Sequence, residues 1–147
     1  MMKHDRYIVI VGCGRVGSQL ANQLSREGNS VVVIDRDEGT FNNLSSDFSG
    51  FRVDGNAAHL AVLQEAGLKK AEVLIATTHE DNVNLMVAQV AHRIFRVPHV
   101  LARVFDPRRE EVYAQLGIKT ICPTSVAVGI FLRAVADGPA GRQGELS

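Results

Sequence analysis

The chain has no apolar run longer than a strand, no long block of like charge, and only two cysteines. Without a long apolar run no membrane-spanning helix is expected, and the N-terminus MMKHDRY, charged and with no apolar core behind it, gives no secretory leader. Sixteen basic residues balance sixteen acidic ones, which argues against a general nucleic-acid binder. Scarce cysteine fits a reducing, cytoplasmic location. The five histidines, His4, His59, His79, His92 and His99, show no metal-ligand spacing with one another or with Cys13 and Cys122. No nucleophile elbow, serine-histidine-acid order, internal repeat or low-complexity segment is present.

What is present is a regular alternation. At 147 residues and 46% hydrophobic content the chain fits one domain with its own core. Strand-like segments near 7–11, 30–35, 51–54, 72–76, 99–104 and 119–121 alternate with helical ones, which predicts an α/β, doubly wound parallel six-stranded Rossmann sheet of order 3-2-1-4-5-6 with an additional C-terminal helix. In that order the ends of the first and last strands lie roughly 14 Å apart, too far for a Cys13–Cys122 disulfide. Helix faces are expected from Val16, Leu20, Ala21 and Leu24, and from Val83, Met86, Val87, Val90 and Ile94. Thr77-Thr78-His79-Glu80 offers a capping box to the second of these, while Asp106-Pro107 and Gly117 bracket a later helix. The domain is expected over residues 1–137, with a fraying tail at 138–147. Val126, Ala127, Ile130, Phe131 and Ala134 form a last apolar face, which either covers its own sheet or meets a second subunit.

The most informative segment is Tyr7 to Gly17, YIVIVGCGRVG. Gly12, Gly14 and Gly17 carry the G-x-G-x-x-G spacing that lets a strand turn sharply, brings the backbone against a phosphate, and packs the next helix close to the sheet. Asp35 follows Gly17 by 18 residues at the end of the next apolar run. A carboxylate there accepts hydrogen bonds from both ribose hydroxyls and repels a 2′-phosphate, so NAD, ATP, ADP or AMP is preferred and NADP disfavoured. The competing role for Asp35 is a helix cap. Cys13 and Val16 within the turn and Arg36 beside the acid complete this part of the candidate cofactor-binding site.

Further candidates follow from strand ends. Arg15 stands in the first turn after the glycines, where the helix dipole disfavours a cation by roughly 0.3–1 kcal/mol unless an anion is nearby. It reads as a phosphate ligand or as a solvated side chain. Arg103, near the end of VLARV, needs a partner, which is either the ligand's phosphates or an acid such as Asp106. Asp54, Gly55, Asn56 and Ala57 fall where the wall of an adenine pocket lies, and Asp54 or Asn56 could bond the base, cap the next helix, or both. Thr77 and Thr78 end the fourth strand across from the glycine turn, their hydroxyls available to a phosphate, a second ribose or the helix cap. His79 is the one histidine placed near a nicotinamide position, although an ordinary loop histidine accounts for it as well. Cys13, near a helix N-terminus, is either a thiol of lowered pKa that senses redox state or a small residue filling the turn.

VVGCGRVGSQLA with Asp35, the DGNA turn at 54–57, VLIATT, LARVFDP and ICP together resemble the RCK N-terminal lobe, also called the KTN or TrkA-N domain, from about Tyr7 to about Val135. The resemblance implies a cytosolic regulatory subunit, peripheral at the inner face of the membrane, of a Trk- or Ktr-type potassium transporter or a related cation channel. It further implies binding of NAD(H), ATP, ADP or AMP without turnover, at Gly12, Gly14, Arg15 and Gly17 for phosphates, Asp35 for ribose, Asp54 to Ala57 around the adenine and Arg103 near the phosphates. The helix at 125–136 would be the family's dimer-crossing helix, giving a homodimer or a larger ring. Two departures bear on this. No smaller C-terminal RCK lobe follows, so a second regulatory ligand or the complete ring would depend on another chain. Thr124 stands after Pro123 where some ATP-responsive members carry a metal-binding glutamate, which favours AMP, ADP or NAD and no metal. The alternative function is an NAD-dependent oxidoreductase component with His79 as acid or base.

Overall fold

A computed structural model describes residues 5–139. Six parallel strands, β1 (Tyr7–Val11), β2 (Ser30–Asp35), β3 (Phe51–Asp54), β4 (Val73–Ala76), β5 (His99–Arg103) and β6 (Lys119–Ile121), form a sheet in the order β3-β2-β1-β4-β5-β6. Helices α1 (Arg15–Arg26), α2 (Leu60–Glu65), α3 (Asp81–Arg93), α4 (Glu110–Gln115) and α5 (Pro123–Asp137) follow the strands, with short 3₁₀ turns at Glu38–Asn43, Leu68–Lys70 and Pro107–Arg109. The sheet and its order are those expected from the alternation of apolar runs.

The period of two along each strand splits the core into two layers. Ile8 and Ile10 of β1 join Val31 and Val33 of β2 and Val73 of β4 on the side covered by Ala21, Leu20 and Leu24 of α1. Val9 and Val11 point the other way, with Val32, Ile34, Leu74 and Ala76, against α2 and α3. A strand buried on both faces reads as a continuous apolar run, which is why YIVIV and SVVVI stand out in the sequence. The order in which strands are added reverses at β1, with β2 and β3 laid on one side and β4 to β6 on the other, all parallel. Ligands of such sheets occupy the crevice opened there, beyond the carboxyl ends of the strands.

Four details differ from expectation or decide between alternatives. Val16 is exposed because the first turn of α1 projects past the strand ends; Gly17, Ser18 and Ala21 form the buried stripe. The inner stripe of α3 is Asn84, Val87, Ala88 and Ala91, whose small side chains bring the helix close to the sheet, and this turns Met86 and Ile94 outward. The capping box at Thr77–Glu80 does not form. Glu80 occupies the cap of α3 without a side-chain bond, and Asn84 reaches back to Thr78 instead. Finally, α5 has no buried residue on its own sheet: Phe131, Leu132 and Val135 are 71%, 65% and 79% exposed.

The brackets of the later helix are as expected. Asp106 accepts from the Arg108 N–H ahead of Pro107, and Gly117 follows α4 at φ +79°. Tyr113 of α4 packs with Val104 and Cys122, and its hydroxyl donates to the Asp81 carbonyl at 3.3 Å. Both cysteines are free and buried. Most of the tail expected at 138–147 lies outside the described residues.

Candidate functional site

The glycine turn is locked by contacts that only these residues allow. Gly12 adopts φ +104° and donates to the Ile34 carbonyl at 2.8 Å. A Cβ on Gly17 would stand 1.8 Å from the Gly12 carbonyl oxygen, so α1 packs against the turn only because Gly17 has no side chain. Thr77 turns its hydroxyl into this turn and donates to the Val11 carbonyl at 3.1 Å. It is buried, and its bond supports the turn without capping α3.

Asp35 joins the end of β2 to the same turn. Its Oδ2 accepts from the Cys13 N–H at 2.8 Å and its Oδ1 from the Asp37 N–H at 2.9 Å. Capping belongs to Asp37, which accepts from Gly39 at 3.0 Å at the start of the Glu38–Asn43 turn. Each carboxylate oxygen of Asp35 retains a second lone pair, so the group can still accept from a diol. Asn43 donates to the Cys13 carbonyl at 3.0 Å, leaving both main-chain polar groups of Cys13 paired. Burial, with a smaller contribution from the Asp35 charge, pushes the Cys13 thiol up to about 11. That direction is opposite to a redox-sensing thiolate and agrees with a small residue filling the turn.

Between the glycine turn, the end of β2 and the start of α3 lies a crevice of about 450 Å³. Gly12, Gly14, Asp35, Arg36, Gly55, Asn56, Ala57, Thr77 and Thr78 line it, as do His79, Glu80, Val83 and Thr40, the last of which no sequence pattern marks. Cys13, Arg15, Val16, Gly17, Asp54 and Arg103 stand outside the lining. Cys13 and Gly17 are buried beneath the turn, while Arg15 and Val16 project from the outer face of α1. Asp54 is exposed beside Asp35 in the β2–β3 register. Asn56 accepts from the Ala58 N–H at 2.9 Å, an Asx turn ahead of α2.

Arg103 does not pair with Asp106, the acid expected as one of its alternatives. Its guanidinium donates to the Thr77 and Thr78 carbonyls, lies 4.7 Å from the centre of the Phe105 ring, and leaves a buried Nε without a partner. Burial lowers its pKa, opposed by the Asp81 charge. Asp106 pairs with Arg108 instead, at 2.9 Å. Asn84 is the residue that sequence reasoning missed. Completely buried, it accepts from the Thr78 N–H at 2.8 Å and the Thr78 hydroxyl at 2.7 Å, and donates to the Thr78 and Arg103 carbonyls at 3.0 Å each. Its one signal was an amide on an otherwise apolar inner helix face.

A doubly wound sheet, a glycine turn at its switch point and an acid at the end of β2 define a Rossmann-type domain of the dinucleotide-fold class. Within that class, residues 8–123 match the TrkA-N domain, and the chain belongs to that family. It is similar to the Trk system potassium uptake protein TrkA of Streptomyces coelicolor, with 46% identity over 127 residues, 86% of this chain and 57% of that protein. The chain therefore spans little more than half the length of that relative. Among solved structures it is similar to the TrkA-N domain of the inner membrane protein YbaL from Escherichia coli, with TM-score 0.78 and 23% identity over 89% of this chain and 97% of that one. It is also similar to the GsuK channel bound to NAD, with TM-score 0.74 and 25% identity over 87% of this chain and 23% of that one.

Proposed function

We propose that this chain is a nucleotide-sensing regulatory lobe of a Trk- or Ktr-type potassium transporter or a related cation channel, and that it binds its nucleotide without turning it over. The observation that carries the reading is the Asp35 carboxylate held at the lip of the same crevice that the bare backbone of Gly12 and Gly14 enters. That combination suits an adenosine ribose and its phosphates: NAD(H), ATP, ADP or AMP, with NADP disfavoured by charge repulsion at Asp35. The kinship with a potassium uptake protein and the NAD bound by GsuK support the same reading. Residues 1–137 are the working unit. The apolar face of α5 meets a second copy, and the dimer works on a membrane subunit from the cytoplasmic side.

Regulation then follows from differential binding, since a ligand that favours one dimer arrangement over another shifts the balance between them and one that binds both equally shifts neither. The test is thermal unfolding of nucleotide-free protein titrated with NAD, NADH, NADP, ATP, ADP and AMP. A ligand at a hundred times its dissociation constant adds about 2.7 kcal/mol, which moves the midpoint by several degrees. Stabilisation by NAD or an adenine nucleotide and not by NADP is expected. No shift with any of the six would overturn the reading.

A further inference from the structure

The connection from β4 to α3 carries an imidazole that the regulatory reading above does not use. His79 is exposed, and its Nε2 lies 3.6 Å from the point that a Cβ on Gly14 would occupy. Gly14 is where the main chain is bare toward the crevice, so the ring stands directly over the anion cradle. His79 also lines a second cavity of about 430 Å³ with Asp81, Phe105 and Arg109, and so forms the ridge between the two. Its neighbours are already engaged: Thr77 holds the Val11 carbonyl, and Thr78 is tied to Asn84. Among the described residues His79 belongs to no ion pair.

We propose that His79 is a ligand of the nucleotide's phosphates and makes nucleotide affinity rise as pH falls. The proposal rests on the nucleotide reading above and adds to it a donor contributed by α3's side of the crevice. The charged groups that line the two cavities with His79, or adjoin Gly14 in the chain, are these. Arg15 projects from α1, and Asp35, Arg36 and Asp37 come from the end of β2. Glu80 and Asp81 come from the start of α3, and Asp106 and Arg109 from the segment after β5. Four of the carboxylates already accept hydrogen bonds: Asp35 from the Cys13 and Asp37 N–H groups, Asp37 from the Gly39 N–H, Asp81 from the Phe105 and Asp106 N–H groups, and Asp106 from Arg108. Glu80, exposed and next in the chain, is the carboxylate left to compete for an imidazolium.

The direction follows from linkage. Histidine changes charge between about pH 5 and 8, a bound phosphate favours the imidazolium, and binding therefore takes up a proton. Affinity is greatest on the acid side and declines as pH rises through that interval. The pyrophosphate of NAD keeps its charge throughout, so its pH dependence reports the protein, whereas a terminal phosphate titrates near pH 6 and must be read as a difference between variants.

The experiment is calorimetric titration of the full chain with NAD and with ADP at pH 6 and pH 8, for wild type, His79→Asn and His79→Arg. Wild type should bind NAD about five- to tenfold more tightly at pH 6, the scale of one charge-assisted hydrogen bond at a partly solvated site. His79→Asn should lose that dependence and bind as wild type does at pH 8; His79→Arg should bind tightly at both. Because the side chain is exposed, matching melting temperatures of the ligand-free variants will show that the fold is intact. Nucleotide binding whose pH dependence survives in His79→Asn would overturn this proposal and leave the nucleotide reading standing. No binding of either ligand by wild type at either pH would overturn both.

Discussion

The main-chain N–H of Cys13 donates to Oδ2 of Asp35 at 2.8 Å, across 22 residues of chain and from the turn after β1 to the last residue of β2. The acid is thereby aimed at the mouth of the crevice before any ligand enters, and its second oxygen is steadied by Asp37 at 2.9 Å. Preorganisation of this kind removes the ordering penalty that a mobile carboxylate would contribute to binding.

Replacing Asp35 tests that arrangement. In Asp35→Ala the loss of two charge-assisted ribose bonds should weaken adenine-nucleotide binding by about 1.5–3 kcal/mol, and discrimination against NADP should shrink with it. Calorimetry with NAD and NADP reads both effects, and wild-type affinity in the variant would place the ribose elsewhere.

Gly17→Ala should be severe. Its Cβ would fall 1.8 Å from the Gly12 carbonyl, and a main-chain oxygen in a turn already at φ +104° cannot retreat cheaply. We expect a loss of about 3 kcal/mol in chemical denaturation, the upper part of the range for overpacking. Gly28→Ala is the contrast, since nothing lies within 4 Å of its Cβ position and only its φ of +93° opposes the change.

Cys13 gives a pH signature. With its folded-state pKa at about 11 and an unfolded value near 8.5, the unfolded chain releases its proton first as pH rises. Stability should therefore be intact below about pH 8.5 and decline between there and 11, with a limiting slope of about 1.4 kcal/mol per pH unit. Denaturant midpoints from pH 7 to 10.5 for wild type and Cys13→Ala measure it, the variant lacking this component of the slope. At pH 8 Cys13 should react with thiol reagents only as fast as the protein opens.

Strand positions were readable because β1 and β2 are apolar on both faces and a glycine turn marks where β1 ends. Asp35 was readable because spacing along a βαβ unit places it. The inner face of α3 was not. A moment drawn toward Met86 and Ile94 overlooks that Ala88 and Ala91 let the helix come closest to the sheet, so the smallest side chains are the most deeply buried. Arg103 could be placed near the crevice but not aimed, since its direction depends on two carbonyls of the β4–α3 connection that no sequence pattern reports. The position of His79 over Gly14 depends on that connection's path in the same way.

Phe131→Asp on α5 should leave the monomer's stability nearly unchanged, because the side chain is 71% exposed and touches no core. If a second copy covers that face, the substitution should shift the dimer toward monomer by at least tenfold in dissociation constant, the scale of a buried aromatic anchor. Sedimentation over a concentration series checks it. An unaltered self-association constant would remove α5 from the interface.

Asn84→Ala should cost about 2–3 kcal/mol, since one truncation removes the acceptor of the Thr78 N–H and the amide donor of the Arg103 carbonyl, and leaves the Thr78 carbonyl to Arg103 alone. The larger consequence of this amide concerns how the protein can move. By holding Thr78 and the Arg103 carbonyl together, Asn84 removes the relative freedom of the β4–α3 loop and the tip of β5, and Arg103 clamps the same pair from the other side. That wall of the crevice can travel only as a block. An adjustment of that wall larger than a side-chain rotation therefore engages α3 through Asn84.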